Sequence, residues 1–340
     1  MSEPIPKVTV LMPVYNAEKF LKAALDSVLW QEFEDYELLA INDGSTDNSG
    51  NILDEYAERD QRVRVIHQEN MGLVKTLNKG LNLAKGEYIA RVDSDDMCMG
   101  NRFMEQVKEF EKDATLVLVG TSFEVFTEED TFLYFEFVTT EDEDIRRAMY
   151  VRNPIGHGTT MFRKSAALEV GVYSYKFGPT EDFALWRAMA DVGKIKCLPM
   201  FGYRWRINPD GVTMTKTKVQ EQQMEIQLKE YWESNPPAIL TASELRQQAR
   251  RYFTKKRIDG VSLKYKMLHD NMRIGFKMMR RGRFFGGLRQ VLNVVLVGRS
   301  GVKVAFHRLG IVSLNVLRNA VRGHNLHDVK EASETRNQLP

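Results

Sequence analysis

Two groups of side chains in this 340-residue sequence carry more chemistry than their surroundings require. The run Asp93-Ser94-Asp95-Asp96 sets three carboxylates at the end of an apolar stretch. Like charges this close repel unless a cation lies among them. A hard divalent ion held by one or two of them, with diphosphate oxygens and water completing its shell, relieves that repulsion. A solvated acidic turn, capping a helix over Met97 to Phe110, satisfies the same residues. Asp43 stands in Asn42-Asp43-Gly44-Ser45-Thr46-Asp47. It either closes an Asp-Gly turn ahead of a helix or accepts the imide N–H of a uracil-like base.

The elements around these groups alternate. Val8 to Met12 is an apolar run closed by Pro13, consistent with a buried strand. Phe20, Leu21, Ala24, Leu25, Val28 and Leu29 recur at helical spacing. Tyr36 to Ile41 predicts a second strand, Ile52 to Ala57 a helix and Val63 to Ile66 a third strand. Gly72 to Ala84 predicts a helix with Leu73, Leu77, Leu81 and Ala84 on one face, and Glu87 to Val92 a fourth strand. Strands alternating with helices imply a parallel sheet covered on both faces, whose ligands sit at the strands' carboxyl ends. Pro13 to Asn16, Asn42 to Asp47 and Asp93 to Asp96 all fall there. Beyond residue 115 the alternation loosens. Strands are predicted at Leu116 to Val119, Thr131 to Val138, Thr159 to Phe162, Ile195 to Leu198 and Gly202 to Trp205. Helices are predicted at Asp142 to Tyr150 and Glu181 to Asp191.

Four blocks then resemble the family-2 glycosyltransferases, in that family's order and spacing. They are Val10-Leu11-Met12-Pro13-Val14-Tyr15-Asn16-Ala17-Glu18, Leu25-Asp26-Ser27-Val28-Leu29-Trp30-Gln31, Ile41 to Asp47, and Gly86 to Asp96. The resemblance covers about residues 7–210. It implies a GT-A fold, a Rossmann-like mixed α/β sheet with helices on both faces, and transfer of a nucleotide-activated sugar with inversion at its anomeric carbon. Carried over by position, Pro13, Val14 and Tyr15 line the nucleoside pocket and Asp43 holds the base, which favours a UDP- or dTDP-sugar donor. Asp93 contacts the ribose or the metal, Asp95 ligates Mn²⁺ or Mg²⁺, and Lys75 faces the same rim. Thr180-Glu181-Asp182 resembles the family's Glu-Asp motif and makes Asp182 the general base, since the attacking hydroxyl must lose its proton to a nearby acceptor. Glu181 is expected to hold the acceptor or a neighbouring loop. His157 matches a stretch beside the acceptor site. Trp186, four residues after Asp182, either stacks on an acceptor sugar or packs in the core. Tyr203-Arg204-Trp205-Arg206 resembles the closing block, with Arg204 on the acceptor side. A histidine often follows that arginine by two; Arg206 stands here instead.

Composition bounds the remainder. An apolar fraction of 43% and a charged fraction of 28% describe a globular chain. Two distant cysteines, Cys98 and Cys197, argue against a disulfide framework and a zinc site. The net charge of +2 hides an asymmetry: residues 1–245 hold 27 Lys and Arg against 41 Asp and Glu, while 246–325 hold 19 against 2. The expected organisation is a catalytic domain over 1–235, a basic helical region over 236–325 and a flexible tail over 326–340. Leu288, Val291, Leu292, Val295 and Leu296 form an amphipathic stripe among arginines. Such a helix suits an anionic membrane surface, or packs on the core or a second subunit. No recognisable nucleic-acid motif accompanies the basic face. With no secretory signal and no apolar segment long enough to span a bilayer, the expectation is a cytoplasmic enzyme, peripheral on the membrane's cytoplasmic face, serving a glycan or lipid-linked acceptor. Two other readings stand beside it. A nucleotidyltransferase would call for a Gly-rich, basic loop after the first strand, which Pro13-Val14-Tyr15-Asn16 does not supply. A non-catalytic membrane scaffold would have shed the site carboxylates.

Overall fold

In the computed structural model, residues 5–150, 152–209 and 211–234 are described. The basic region 246–325, its expected membrane-facing role and the tail 326–340 lie outside the described residues. The chain begins with three β/α pairs: β1 (Val8–Val14), α1 (Glu18–Leu29), β2 (Tyr36–Asp43), α2 (Ser49–Arg59), β3 (Val63–Gln68) and α3 (Leu73–Leu83). β4 (Tyr88–Arg91), β5 (Met97–Cys98) and α4 (Arg102–Lys112) follow. The second half supplies β6 (Leu116–Thr127), β7 (Phe132–Glu136), α5 (Asp142–Met149), β8 (Met161–Arg163), α6 (Lys164–Glu169), α7 (Glu181–Val192) and β9 (Lys194–Ile207). Two helices, α8 (Val212–Thr215) and α9 (Thr217–Ser234), complete the described residues.

One sheet runs β3-β2-β1-β4-β8-β6-β9-β5, with β7 paired to β6. Its first four strands are parallel; β8 enters antiparallel to β4 and β6. Two-residue periodicity divides the interior. Val8, Val10, Met12 and Val14 face α1, α2 and α4, whereas Leu11, Leu39 and Ile41 face α3 and α7. Burial on both faces explains why β1 and β2 read as continuous apolar runs and not as alternations. Pro13 is tolerated because β1 has left β4 by then: the last β1–β4 pair is Leu11 with Arg91.

Three sequence expectations shift. Met97 and Cys98 pair with Arg204 and Tyr203 as β5, so the helix begins at Arg102. The strand expected at Leu116 to Val119 continues to Thr127, since Thr121 and Ser122 are buried as well. The two strands expected around Pro199 are one 14-residue strand. β6 runs parallel to it, and its register jumps from Thr121–Leu198 to Ser122–Phe201, so Pro199 and Met200 form a bulge that needs no ladder N–H.

Gly86 shows how closely the layers meet. A Cβ there would lie 2.4 Å from the Thr9 nitrogen and 2.6 Å from the Val8 carbonyl carbon, and backbone in a central strand cannot yield. Gly86→Ala should cost about 3 kcal/mol, the upper end for overpacking, read as a lower urea midpoint with an unchanged slope.

Candidate active site

The carboxyl ends of β1, β2 and β4 meet along one rim. At the first two, Asn16 adopts a left-handed φ of 47°, a conformation Asn tolerates. Its Oδ1 accepts the Thr46 N–H at 2.8 Å, and its own N–H donates to Ser45 Oγ at 3.0 Å. Ala17 cannot cap α1, so the cap comes from the other loop: Asp47 Oδ2 accepts the Glu18 N–H at 3.0 Å, and Glu18 Oε2 accepts the Asn48 N–H at 2.8 Å. Each helix start is closed by the other's acid. Asp43, 4% exposed, ends β2. Its Oδ1 accepts from Gln68 Nε2 at 2.7 Å and the Met71 N–H at 2.9 Å, and its Oδ2 from the Gly72 N–H at 3.0 Å. Gly72 has a φ of 85°, which glycine adopts without strain, and α3 begins there.

At the end of β4, Arg91 is 1% exposed and donates through Nη2 to Asp93 Oδ1 at 2.7 Å. Its Nη1 meets the Val92 carbonyl, and its Nε has no partner. Asp95 is half-buried, with Oδ2 accepting from Asn208 Nδ2 at 2.9 Å. Burial, then the neighbouring Asp93 charge, raises its pKa above the usual carboxylate range. Asp96 is buried and raised well above that range by desolvation, then by Asp95 and Asp93. Its Oδ1 accepts the Arg206 N–H at 2.7 Å, and Arg206 Nε donates to the Asp95 carbonyl at 2.8 Å. Tyr203 OH accepts the Asp93 N–H at 3.0 Å.

The acceptor-side acids open α7. Asp182 Oδ2 accepts from Asn153 Nδ2 at 2.8 Å, and its Oδ1 from the Phe183 N–H at 2.7 Å. Desolvation is the main cause lifting it to about 6, and Asp93 adds to this. Glu181, 4% exposed, is pushed up to about 8 by burial and then by Asp182. The Arg91 charge acts on both, in the opposite sense. Desolvation, then Arg91, holds His157 well below the usual histidine value, so its ring is neutral. The rim therefore offers carboxylates for a cation and, across the Arg91 charge, a carboxylate poised near neutrality to take a proton.

The sequence model of Glycosyl transferase family 2 matches residues 9–171. EpsJ of Bacillus subtilis (strain 168), named an uncharacterized glycosyltransferase, is 43% identical over 119 residues, which is 35% of this chain and 34% of that protein. EpsE of the same organism, a putative glycosyltransferase, is 33% identical over 192 residues, 55% of this chain and 68% of its own length. This chain belongs to glycosyl transferase family 2. It spans only about a third of EpsJ. Among solved structures, S. aureus TarS 1-349 in complex with UDP-GlcNAc superposes with a TM-score of 0.56 at 18% identity, covering 98% of this chain and 92% of that one. The fold is GT-A, as the sequence blocks implied.

Within this family-2 fold the expected residues are unevenly placed. Tyr15, 53% exposed, and Lys75, exposed in the first turn of α3, are open to solvent. Val14 is fully buried, so only its backbone can line a pocket. Asp43 spends both oxygens fixing the turn at 70–72. Trp186 has no exposed surface; its ring packs on Phe162, Tyr173 and His157, so it offers no face to a sugar. Arg204 is committed to Glu124 at 2.9 Å and Asp130 at 3.0 Å. His157 faces inward, its Nε2 2.9 Å from Tyr173 OH. Sequence reasoning missed Arg91, Asn153, Tyr203 and Asn208. Arg91 was the findable one: residues two apart share a strand face, and a charge inside an apolar strand needs a partner such as Asp93. Among the described residues no three His, Cys, Asp or Glu side chains form a metal cage. Asp93 and Asp95 supply two carboxylates, and the charge raising Asp95 is the kind a cation relieves. That donor set fits an ion whose other ligands come from a diphosphate.

The reciprocal caps give a direct test. Burial alone would raise Asp47, but hydrogen bonds from Ser49 and the Glu18 and Ser49 N–H groups outweigh it and lower its pKa. Asp47→Ala should cost about 1 kcal/mol at neutral pH. A depressed carboxylate stabilises above its unfolded pKa, so the deficit should shrink as pH falls through 3.8 and below, followed by denaturation at each pH.

Proposed function

We infer that this protein transfers a sugar from a nucleoside-diphosphate donor to a hydroxyl of a glycan or lipid-linked acceptor, inverting the anomeric carbon, with Asp182 as general base. The observation that carries the reading is the pairing, around buried Arg91, of the carboxylates at the end of β4 with the half-buried Asp182 at the start of α7. Pro13, the Val14 backbone, Tyr15 and Lys75 border the nucleoside, and Asp43 keeps that wall rigid. Oδ2 of Asp43 accepts only the Gly72 N–H, and the one acceptor site it keeps favours a base with an imide N–H, hence a UDP- or dTDP-sugar.

Asp93 and Asp95 would hold Mn²⁺ or Mg²⁺, which supplies charge to the departing diphosphate. The chain does the rest. Asn153 and the Phe183 N–H fix the Asp182 carboxylate, leaving it to accept the proton of the attacking hydroxyl as the new glycosidic bond forms. Its value of about 6 keeps it ionised near neutral pH while close enough to take that proton. Among the described residues no helix is long and apolar enough to cross a membrane. A nucleotidyltransferase is disfavoured by the loop after β1, which lacks the glycines and basic residues that would cradle a triphosphate.

The first experiment is a screen of UDP-, dTDP- and GDP-sugars for Mn²⁺-dependent hydrolysis and thermal stabilisation; no response to any of them would overturn the reading. With a donor in hand, Asp182→Asn should lower transfer about 100-fold or more while donor affinity holds. Transfer by the parent should fall as pH drops below about 6, because the base must be unprotonated. Near-normal turnover by the variant would remove the base assignment. Asp95→Ala should weaken donor binding only when Mn²⁺ is present, measured by titration with and without the metal; equal losses in both conditions would contradict a metal role.

A further inference from the structure

Behind Asp182 lies a buried polar chain that the reaction as derived does not use. Tyr173 is clamped at both backbone groups by Asn78, whose Nδ2 donates to the Tyr173 carbonyl at 2.9 Å and whose Oδ1 accepts its N–H at 3.0 Å. Tyr173 OH lies 2.9 Å from His157 Nε2, and His157 Nδ1 lies 3.7 Å from Glu181 Oε1. Glu181 Oε2 is enclosed and has no hydrogen-bond partner. The edge of Trp186 seals the imidazole, with ring centroids 5.7 Å apart. An ionised carboxylate with one oxygen enclosed and unpartnered costs far more than a neutral acid in the same place. The His157–Glu181 spacing fits this: a charged pair would close to a hydrogen bond of about 2.8 Å, whereas 3.7 Å is loose.

We propose that Glu181 is a neutral carboxylic acid in the working enzyme, its proton kept on the Tyr173–His157–Glu181 chain, and that it is a positioning residue leaving Asp182 as the only ionising member of the pair. Two adjacent carboxylates would otherwise compete, and an ionised Glu181 would drive Asp182 towards its protonated, inactive form. The groups facing Glu181 are Asp182 on its own helix, His157 ahead of β8, Tyr173, and Arg91 and Asp93 from the end of β4. Burial, then Asp182 and, more weakly, Asp93 favour the proton, while the Glu181 backbone N–H and Arg91 oppose it. His157, neutral and enclosed, receives no charge from the exchange. This role rests on Asp182 being the base, but the protonation of Glu181 can be read without any substrate.

The test compares the full-length protein with its Glu181→Gln variant, which keeps the shape and cannot ionise. Folding raises the Glu181 pKa, so the folded chain retains a proton that the unfolded chain sheds above 4.5. The parent should therefore lose more stability than Glu181→Gln as pH climbs from 4.5 to about 8. Asp182 titrates in both proteins, so the stability difference isolates Glu181. It should widen across that window and level off above it, by denaturant unfolding at each pH. A constant difference would overturn the neutral acid, whatever reaction the enzyme performs. Once a donor and acceptor are known, Glu181→Gln should turn over at least about tenfold faster than Glu181→Ala, and its acidic limb should lie no higher than the parent's. Equal losses in the two variants would overturn the positioning role while leaving the transferase reading intact.

Discussion

The site depends on the crowding of five carboxylates, Asp93, Asp95, Asp96, Glu181 and Asp182, around one buried guanidinium. Arg91 is 1% exposed and stays charged under any condition in which the protein folds. Its single charge cannot neutralise five acids, so each needs its own compensation. Asp93 takes the ion pair. Asp96 accepts the Arg206 N–H and lies against Tyr203. Asp95 accepts from Asn208, and Asp182 from Asn153 and the Phe183 N–H. Glu181 alone has an oxygen with nothing to bind, and the proton it retains is the remaining solution. Asp96 and Glu181 are buried, whereas Asp93, Asp95 and Asp182 keep partial exposure to solvent.

The fold makes that crowding durable through the antiparallel entry of β8. The Arg91 N–H donates to the Thr160 carbonyl at 2.9 Å, which carries the turn holding His157 onto the end of β4. From the far side, buried Arg102 donates through Nη2 to both the Arg91 and Thr160 carbonyls, at 3.0 and 2.8 Å. Gln106, on the same helix, reaches the Val119 and Thr159 carbonyls at 2.7 and 3.0 Å. Two long polar side chains of α4 thus fasten the end of β4, the interior of β6 and the turn before β8 by donating to their buried carbonyls. The end of β4 and the turn that carries His157 are parts of one hydrogen-bonded seam.

This arrangement explains what the sequence disclosed. The parallel half was readable because its chemistry is local: a strand, a loop that ends it and a helix lie within about 20 residues, and Asp43 and Asp93 fall where such strands stop. The long β6–β9 ladder was not, because Pro199 signals a break unless its parallel neighbour is known to absorb it as a bulge. Trp186 was left between a sugar face and the core for a related reason. Spacing put it on the Asp182 face of α7, but spacing cannot say whether that face meets solvent or Phe162. Tyr203 was legible only as part of the closing block, and Asn153 and Asn208 gave no signal, since the partners of Asn153, Tyr203 and Asn208 lie 29, 110 and 113 positions away.

The same distances bear on how the two walls are specified. The family model matches residues 9–171, which hold Asp43, Asp93 and Asp95, while Glu181 and Asp182 lie beyond that span. The start of α7 is held by later segments of this chain. Gln227 on α9 donates through Nε2 to the Thr180 carbonyl at 2.9 Å and to Thr180 Oγ1 at 2.7 Å, pinning the residue from which α7 springs. Arg187, lying over the Tyr231 ring at 3.7 Å, holds the other side of α7 to α9 through the Gln227 carbonyl. The start of α7, and with it Asp182, is therefore held by a helix beyond the sheet, whereas Asp93 and Asp95 are placed by the end of β4 and by Asn208 just past β9.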